Sequence, residues 1–295
     1  YRDKMVAIHL IVHEGRVAVI DTATRHSLPR ILAALDQLGL SAQALDWVIL
    51  THIHLDHAGG AGALMRQCPN ARLAVHPRGA RHMADPRKLW DSTVSVYGLE
   101  TAQRVYGEIV PVPSERIEET PEGHVLQLGS RRLTVLDTPG HARHHIAVHD
   151  PFSQSVFAGD TFGISYREFD HGERQFVFPT TSPVQFDPQA AHDSVDRILA
   201  LEPQSVYVTH YSRLTDLQNI SASLHRLIDA HAALALNVRS TGTAREAELV
   251  AGVKRLFLAE TARFGCTLHE ERALALMGLD IQLNAQGLVS WLDSR

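Results

Sequence analysis

Cysteine is nearly absent from this chain: there are two in 295 residues, Cys68 and Cys266. Two thiols make no disulfide framework, and neither sits in a motif that marks a nucleophile, so a reducing cytoplasm is the expected setting. Long apolar runs are missing as well. Nothing approaches the roughly 18 consecutive apolar residues of a membrane span, so no membrane partner is expected. An excess of positive charge is also lacking. The formal net charge of −5 argues against a nucleic-acid surface, which would be basic. No G-x-G-x-x-G follows a strand, which excludes a doubly wound nucleotide fold, and no internal repeat points to a solenoid. The sequence opens Tyr-Arg-Asp-Lys with neither Met nor an apolar leader, which leaves room for a native start upstream and for a cleaved signal peptide. The rest, 44% hydrophobic and 21% charged, is ordinary for a globular protein with a sizeable core.

Histidine, in contrast, is plentiful, with 19 copies. His26, His82, His192, His225 and His231 read as surface or hydrogen-bonded core residues. Residues 51–57 are different. They read Thr-His-Ile-His-Leu-Asp-His, and they crowd His52, His54, Asp56 and His57 into one short turn. Imidazole nitrogen and carboxylate oxygen are the donors that suit Zn²⁺, Fe and Mn. The apolar run Trp47-Val48-Ile49-Leu50 before them reads as a buried strand. Ala58-Gly59-Gly60 after them supplies small residues where backbone must pass close to a neighbour. The heptad is therefore expected on a loop at the carboxyl end of a strand.

Three further segments repeat this order of apolar strand, then potential ligand. Arg132–Leu136 leads to Asp137-Thr138-Pro139-Gly140-His141, Ser155–Gly159 to Asp160, and Ser205–Thr209 to His210. One strand ending in Asp is usually a turn or a cap. Four strands ending in His or Asp point to one rim of a sheet assembly.

T-H-I-H-L-D-H-A-G-G at 51–60, D-T-P-G-H at 137–141, A-G-D at 158–160 and V-T-H at 208–210 resemble the metallo-β-lactamase superfamily, in its glyoxalase II and lactonase-like branch. The resemblance spans about residues 8–212. It implies a four-layer αββα sandwich and a site for two divalent ions, zinc first, with iron or manganese as substitutes. Position by position, His52, His54 and His141 would hold one ion and Asp56, His57 and His210 the other, with Asp160 bridging. Asp21, at the end of Val17–Ile20, would stand behind the ligands. Gly140-His141-Ala142-Arg143-His144-His145 departs from the G-H-x-x-G-H usual in glyoxalase II relatives. His145 would orient the site from behind, and His144 reads as either a solvated loop residue, the first choice, or a substrate contact.

What the resemblance implies is a dinuclear hydrolase using a metal-bridging hydroxide on a small ester, thioester or lactone, with Asp56 orienting water or moving its proton. Two other readings stand beside it: a metal-containing ligand-binding or regulatory protein with vestigial hydrolysis, and an iron-dependent redox member of the same superfamily. The expected catalytic domain is 1–212, followed by a helical extension, 213–295. The extension reads as helices over Leu214–Leu236, Glu246–Phe264 and Leu268–Met277, then a docking tail over 284–292. A lid, a homodimer surface and simple packing all fit it. The aromatic loop 161–186 leaves Asp160 directly, so Phe162, Tyr166 and Phe178 are expected as an apolar pocket wall for a small-molecule substrate.

Overall fold

The structure, a computed structural model, describes residues 4–182 and 184–295. They fall into two compact units, one comprising Tyr1–Asp137 with His144–Gly159, the other Thr138–Arg143 with Asp160–Arg295.

The first unit opens with β1 (His9–His13) and β2 (Arg16–Ile20), an antiparallel hairpin turning at Glu14-Gly15, both in the left-handed region. α1 (Leu28–Gln37) starts with proline in its first turn and stops before Gly39 at φ +69°, as the sequence punctuation predicts. β3 (Leu45–Ile49), α2 (Leu55–Ala58), α3 (Ala61–Gln67) and β4 (Arg72–Val75) follow, then α4 (Pro77–Ala84), α5 (Arg87–Tyr97), α6 (Leu99–Val105) and β5 (Ile117–Glu119). β1 to β5 form one sheet in chain order, parallel from β2 onward. Val17, Ala18, Val19 and Ile20 are all buried. A strand buried on consecutive residues is covered on both faces. Ile31 and Leu35 of α1 and Leu64 and Met65 of α3 share one core with Val17, Val19, Val48 and Leu73. Each such side chain contributes about 1.5–3 kcal/mol on full burial.

β6 (Val125–Leu128), β7 (Arg131–Asp137), β8 (Ile146–Asp150) and β9 (Ser155–Gly159) complete the unit as an antiparallel run. β6 and β7 are joined by a tight turn at Gly129-Ser130. β8 has no sequence counterpart, because its five residues follow the His144-His145 pair without a turn signal.

In the second unit, the segment 160–186 is mostly irregular. α7 (Pro188–Leu199) begins at Asp187, whose carboxylate accepts the Ala190 N–H at 3.1 Å. The hairpin β10 (Ser205–Val208) and β11 (Ser212–Leu214) precedes three long helices, α8 (Leu217–Asn237), α9 (Gly242–Phe264) and α10 (Glu270–Asp293). The strands fall into two sheets, and with their helices they make the expected α/β sandwich with a helical C-terminal region. None of the helices among the described residues is long and apolar enough to cross a membrane.

Two expectations need correction. The heptad is only partly a loop: Leu55–Ala58 forms one helical turn, which places Asp56 and His57 on a helix. The short helix and separate tail expected over 268–292 are one continuous helix, α10. Asn284 and Gly287 have weak helix propensity, which their contacts with residues 179–182 override.

Candidate metal centre

Asp21 organises the first unit's candidate ligands. Its backbone is left-handed at φ +56°, a conformation that Asp tolerates better than most residues. It is fully buried. Its carboxylate accepts the Thr51 N–H at 2.8 Å and the Thr51 hydroxyl at 2.8 and 3.0 Å. It also accepts His57 Nδ1–H at 2.8 Å. That bond leaves the other ring nitrogen, Nε2, as the one carrying the lone pair, and Nε2 lies 3.9 Å from Asp56 Oδ2. Carboxylate-backed imidazole is the usual arrangement behind a metal-ligating histidine. The turn is pinned from its other side too, because the His57 carbonyl accepts Thr22 N–H at 2.7 Å and the Thr22 hydroxyl at 2.9 Å.

His52 and His54 meet at 3.0 Å through Nε2 and Nδ1, and the His52 and His57 ring centroids are 3.9 Å apart. His145, fully buried, lies ring to ring with His52 at 5.0 Å. Gly159 explains why the site tolerates no larger residue there. Its φ is +50°, and a Cβ would come within 2.6 Å of Thr51 Oγ1 and 2.7 Å of His145 Nε2. His144 departs from expectation. It is not a solvated loop residue, since its ring stands 5.7 Å from that of His54 and 6.2 Å from that of His52. Burial, helped by the nearby His54 and His76, pushes its pKa down to about 3, so it is neutral at physiological pH.

The second unit's candidate ligands centre on Asp160. One carboxylate oxygen, Oδ2, lies 3.7 Å from His141 Nε2, and the other, Oδ1, lies 3.9 Å from His210 Nε2. All three side chains are buried. These separations exceed a hydrogen bond. Two ligands each 2.0–2.1 Å from a tetrahedral zinc are themselves about 3.4 Å apart, so the spacing suits an ion between each pair. His141 Nδ1 meets the Thr180 hydroxyl at 2.9 Å and that of Ser182 at 3.4 Å. Thr180 in turn lies 3.4 Å from the Asp160 carbonyl, to which it donates.

The aromatic loop is mainly packing. Phe162 and Phe178 are fully buried, with the Phe178 ring 5.6 Å from Phe257 and 5.1 Å from His231. They present no surface to a ligand in this structure, so the expected pocket wall is corrected for these two. His231 of α8 and Phe257 of α9 pack against Phe178. Tyr166 is also buried, yet its ring meets His210 edge-on at 6.4 Å and its hydroxyl donates to Asp280 at 3.3 Å. Asp280, on α10, has its pKa pushed up to about 6 by burial, against the opposing effects of His210 and the Tyr166 bond. Thr51, Thr180 and Asp280 escape sequence reasoning. The only sequence signal for Thr180 is the polar triplet Thr180-Thr181-Ser182 that follows the aromatic stretch.

Comparison with known proteins adds family membership. The family model described as the metallo-beta-lactamase superfamily matches residues 1–210. The metallo-beta-lactamase fold-containing protein ST1585 of Sulfurisphaera tokodaii is 28% identical over 212 residues, covering 70% of this chain and 73% of the relative. A hydroxyacylglutathione hydrolase of Aeromonas salmonicida is also 28% identical over 212 residues, covering 72% of this chain and 63% of the relative. Among solved structures, the metallo-beta-lactamase family protein TTHA1429 of Thermus thermophilus superposes with a TM-score of 0.67 at 22% identity, covering 98% of this chain and 88% of that one. At that identity the superposition speaks for the fold alone.

Proposed function

The chain belongs to the metallo-beta-lactamase superfamily, and from that premise we propose that it is a dinuclear metallohydrolase of small esters, thioesters or lactones. The observation that carries the reading is Asp160, whose two oxygens each face a different histidine at 3.7 and 3.9 Å. A carboxylate set in this way is built to serve two ions. In the proposal, His52, His54 and His141 would hold one divalent ion and Asp56, His57 and His210 the other, with Asp160 available to both. Zinc is the first choice for an imidazole and carboxylate set, with iron and manganese as competitors.

Bound divalent ions would supply Lewis acidity and lower the pKa of water toward about 7. The protein's own groups do the rest. Asp21 keeps the proton on His57 Nδ1, and Thr180 does the same for His141 Nδ1, so each presents Nε2 as a neutral donor. Asp56 is the least covered carboxylate of the set, with a quarter of its side chain exposed, at 26%. In this reading it would accept a proton from an attacking water and pass it to the leaving group. No serine or cysteine nucleophile is needed. The acidic net charge favours a small organic substrate over nucleic acid. The hydroxyacylglutathione hydrolase relative supports a thioester within that class.

The test pairs elemental analysis with an ester, thioester, lactone and phosphodiester panel. Wild-type protein is expected to carry about two ions per chain and to turn over at least one acyl substrate. A chelator, His54→Ala or Asp160→Ala should each bring turnover to background with the circular dichroism spectrum unchanged. Full turnover by His54→Ala would defeat the mechanism. A metal-loaded protein inactive on the whole panel would instead favour a regulatory role.

A further inference from the structure

The C-terminal helix lies beyond the matched family region, residues 1–210; two of its residues address the segment that carries Thr180, and a third reaches Tyr166. Asn284 is buried on α10. Its side-chain oxygen accepts the Thr181 N–H at 2.8 Å, and its amide donates to the Pro179 carbonyl at 2.9 Å. The Asn284 backbone carbonyl accepts the Thr181 hydroxyl at 2.9 Å. One asparagine thus holds the residue before Thr180 and the residue after it. Gly287, three positions on along the same face, lets the helix backbone press against that segment. A Cβ there would lie 1.4 Å from the Thr181 carbonyl oxygen. Asp280, one turn before Asn284, reaches Tyr166, which stands against His210.

We propose that Asn284 is a positioning residue of the metal centre, which acts by fixing Thr180 and through it the ring orientation and tautomer of His141. The Thr180 hydroxyl donates to the Asp160 carbonyl and so offers a lone pair to His141 Nδ1–H. That leaves His141 Nε2 unprotonated and directed to the side of the ring where Asp160 Oδ2 lies. A threonine on an untethered loop would sample several rotamers and hold the imidazole in none of them. The two bonds from Asn284, on either side of Thr180, remove that freedom. In this account α10 is part of the apparatus that builds the centre, and the C-terminal region serves metal binding as well as packing.

The inference rests on His141 being a ligand, as proposed above, so the test includes a variant that reads that premise separately. Zinc affinity is measured by competition with a chromophoric chelator for wild type, His141→Ala, Thr180→Val, Thr180→Ser and Asn284→Ala. Visible spectra of the cobalt-substituted proteins, and ¹⁵N NMR of the histidine tautomers in the metal-free proteins, accompany it. Loss of a partner behind a metal ligand costs about 10–100-fold in affinity. Thr180→Val and Asn284→Ala should therefore weaken one of the two ions by that factor, alter the cobalt spectrum and mix the His141 tautomers. Thr180→Ser, which keeps the hydroxyl, should restore wild-type behaviour. A purely packing role for Asn284 would lower the unfolding midpoint and leave the affinity and spectrum of the folded protein unchanged, which would overturn the proposal. Wild-type affinity in Thr180→Val beside loss of one ion in His141→Ala would also overturn it, and that arm decides the matter should Asn284→Ala not fold. Retention of both ions by His141→Ala would refute the premise and the inference together.

Discussion

Replacing Gly287 by alanine sets two effects of opposite sign against each other. Alanine is the better helix former, by up to about 1 kcal/mol in a helix interior, and position 287 is interior to the 24-residue helix α10. Propensity alone would make the variant more stable. The added Cβ, however, would meet the Thr181 carbonyl oxygen at 1.4 Å, the Thr181 carbonyl carbon at 2.5 Å and the Ser182 carbonyl carbon at 2.9 Å. All three are backbone atoms, so no side chain can swing away. The closest gap must open from 1.4 Å to at least 3.0 Å, the distance below which real Cβ atoms essentially never approach a neighbour. Overpacking of this kind costs about 1–3 kcal/mol and occasionally more. The displacement also pulls on the Asn284 bonds to Pro179 and Thr181, and each buried bond lost costs about 1 kcal/mol. The steric effect therefore wins, with a net destabilisation of about 2–4 kcal/mol.

Urea unfolding followed by tryptophan fluorescence is a direct assay, because Trp291 lies on α10 with its ring 6.0 Å from that of Phe186. At the usual conversion for a chain of this size, the thermal midpoint should fall by roughly 3–6 °C. Gly278→Ala is the internal control. It lies in the same helix, and a Cβ there would meet nothing within 4 Å. It should be neutral or stabilising by up to about 1 kcal/mol. A Gly287→Ala midpoint at or above wild type would refute the close approach of α10 to residues 181–182.

Two further outcomes follow from buried charge. Arg131 donates to Asp150 through Nε at 2.9 Å and through a second, shorter contact, and Asp150 is fully buried. Burial pushes the Asp150 carboxyl up, but the bonds from Arg131 and Ser153 outweigh it and hold the pKa below the usual value. Arg131→Ala should cost about 3–5 kcal/mol at pH 7 by urea unfolding, and that deficit should shrink as the pH falls through the unfolded carboxylate value near about 4. His231 is fully buried, donates Nδ1–H to the Leu227 carbonyl at 2.7 Å, and is pushed by burial down to about 4 from 6.5. Its contribution is complete above pH 6.5 and fades as the pH falls toward 4, by about 3 kcal/mol, so His231→Leu should lose less stability than wild type between pH 7 and 4.5; equal losses would contradict this.

What the sequence reveals of this molecule depends on how local each decision is. The heptad 51–57 is legible because its meaning lies in residue type and spacing, and no packing could make four adjacent donors ordinary. The same holds for the strands that deliver Asp160 and His210, whose apolar runs and turn residues sit side by side in the chain. Phe162 and Phe178 are harder, because the chain position beside Asp160 favours a pocket wall, whereas both are core, and the residues that pack on Phe178, His231 of α8 and Phe257 of α9, lie dozens of residues later in the chain. Local propensity actively misleads in α10. Gly278, Asn284 and Gly287 each lower helix propensity, and together they divide the segment into a helix and a tail. Two of the three have a use that propensity cannot express: Asn284 spends its side chain on Pro179 and Thr181, and Gly287 admits the Thr181 carbonyl. A residue that weakens its own helix to accommodate another segment is consistent only at the tertiary level. That is why Thr180, which faces His141 and is bracketed by those contacts, carries so little signal in the sequence and so much in the site.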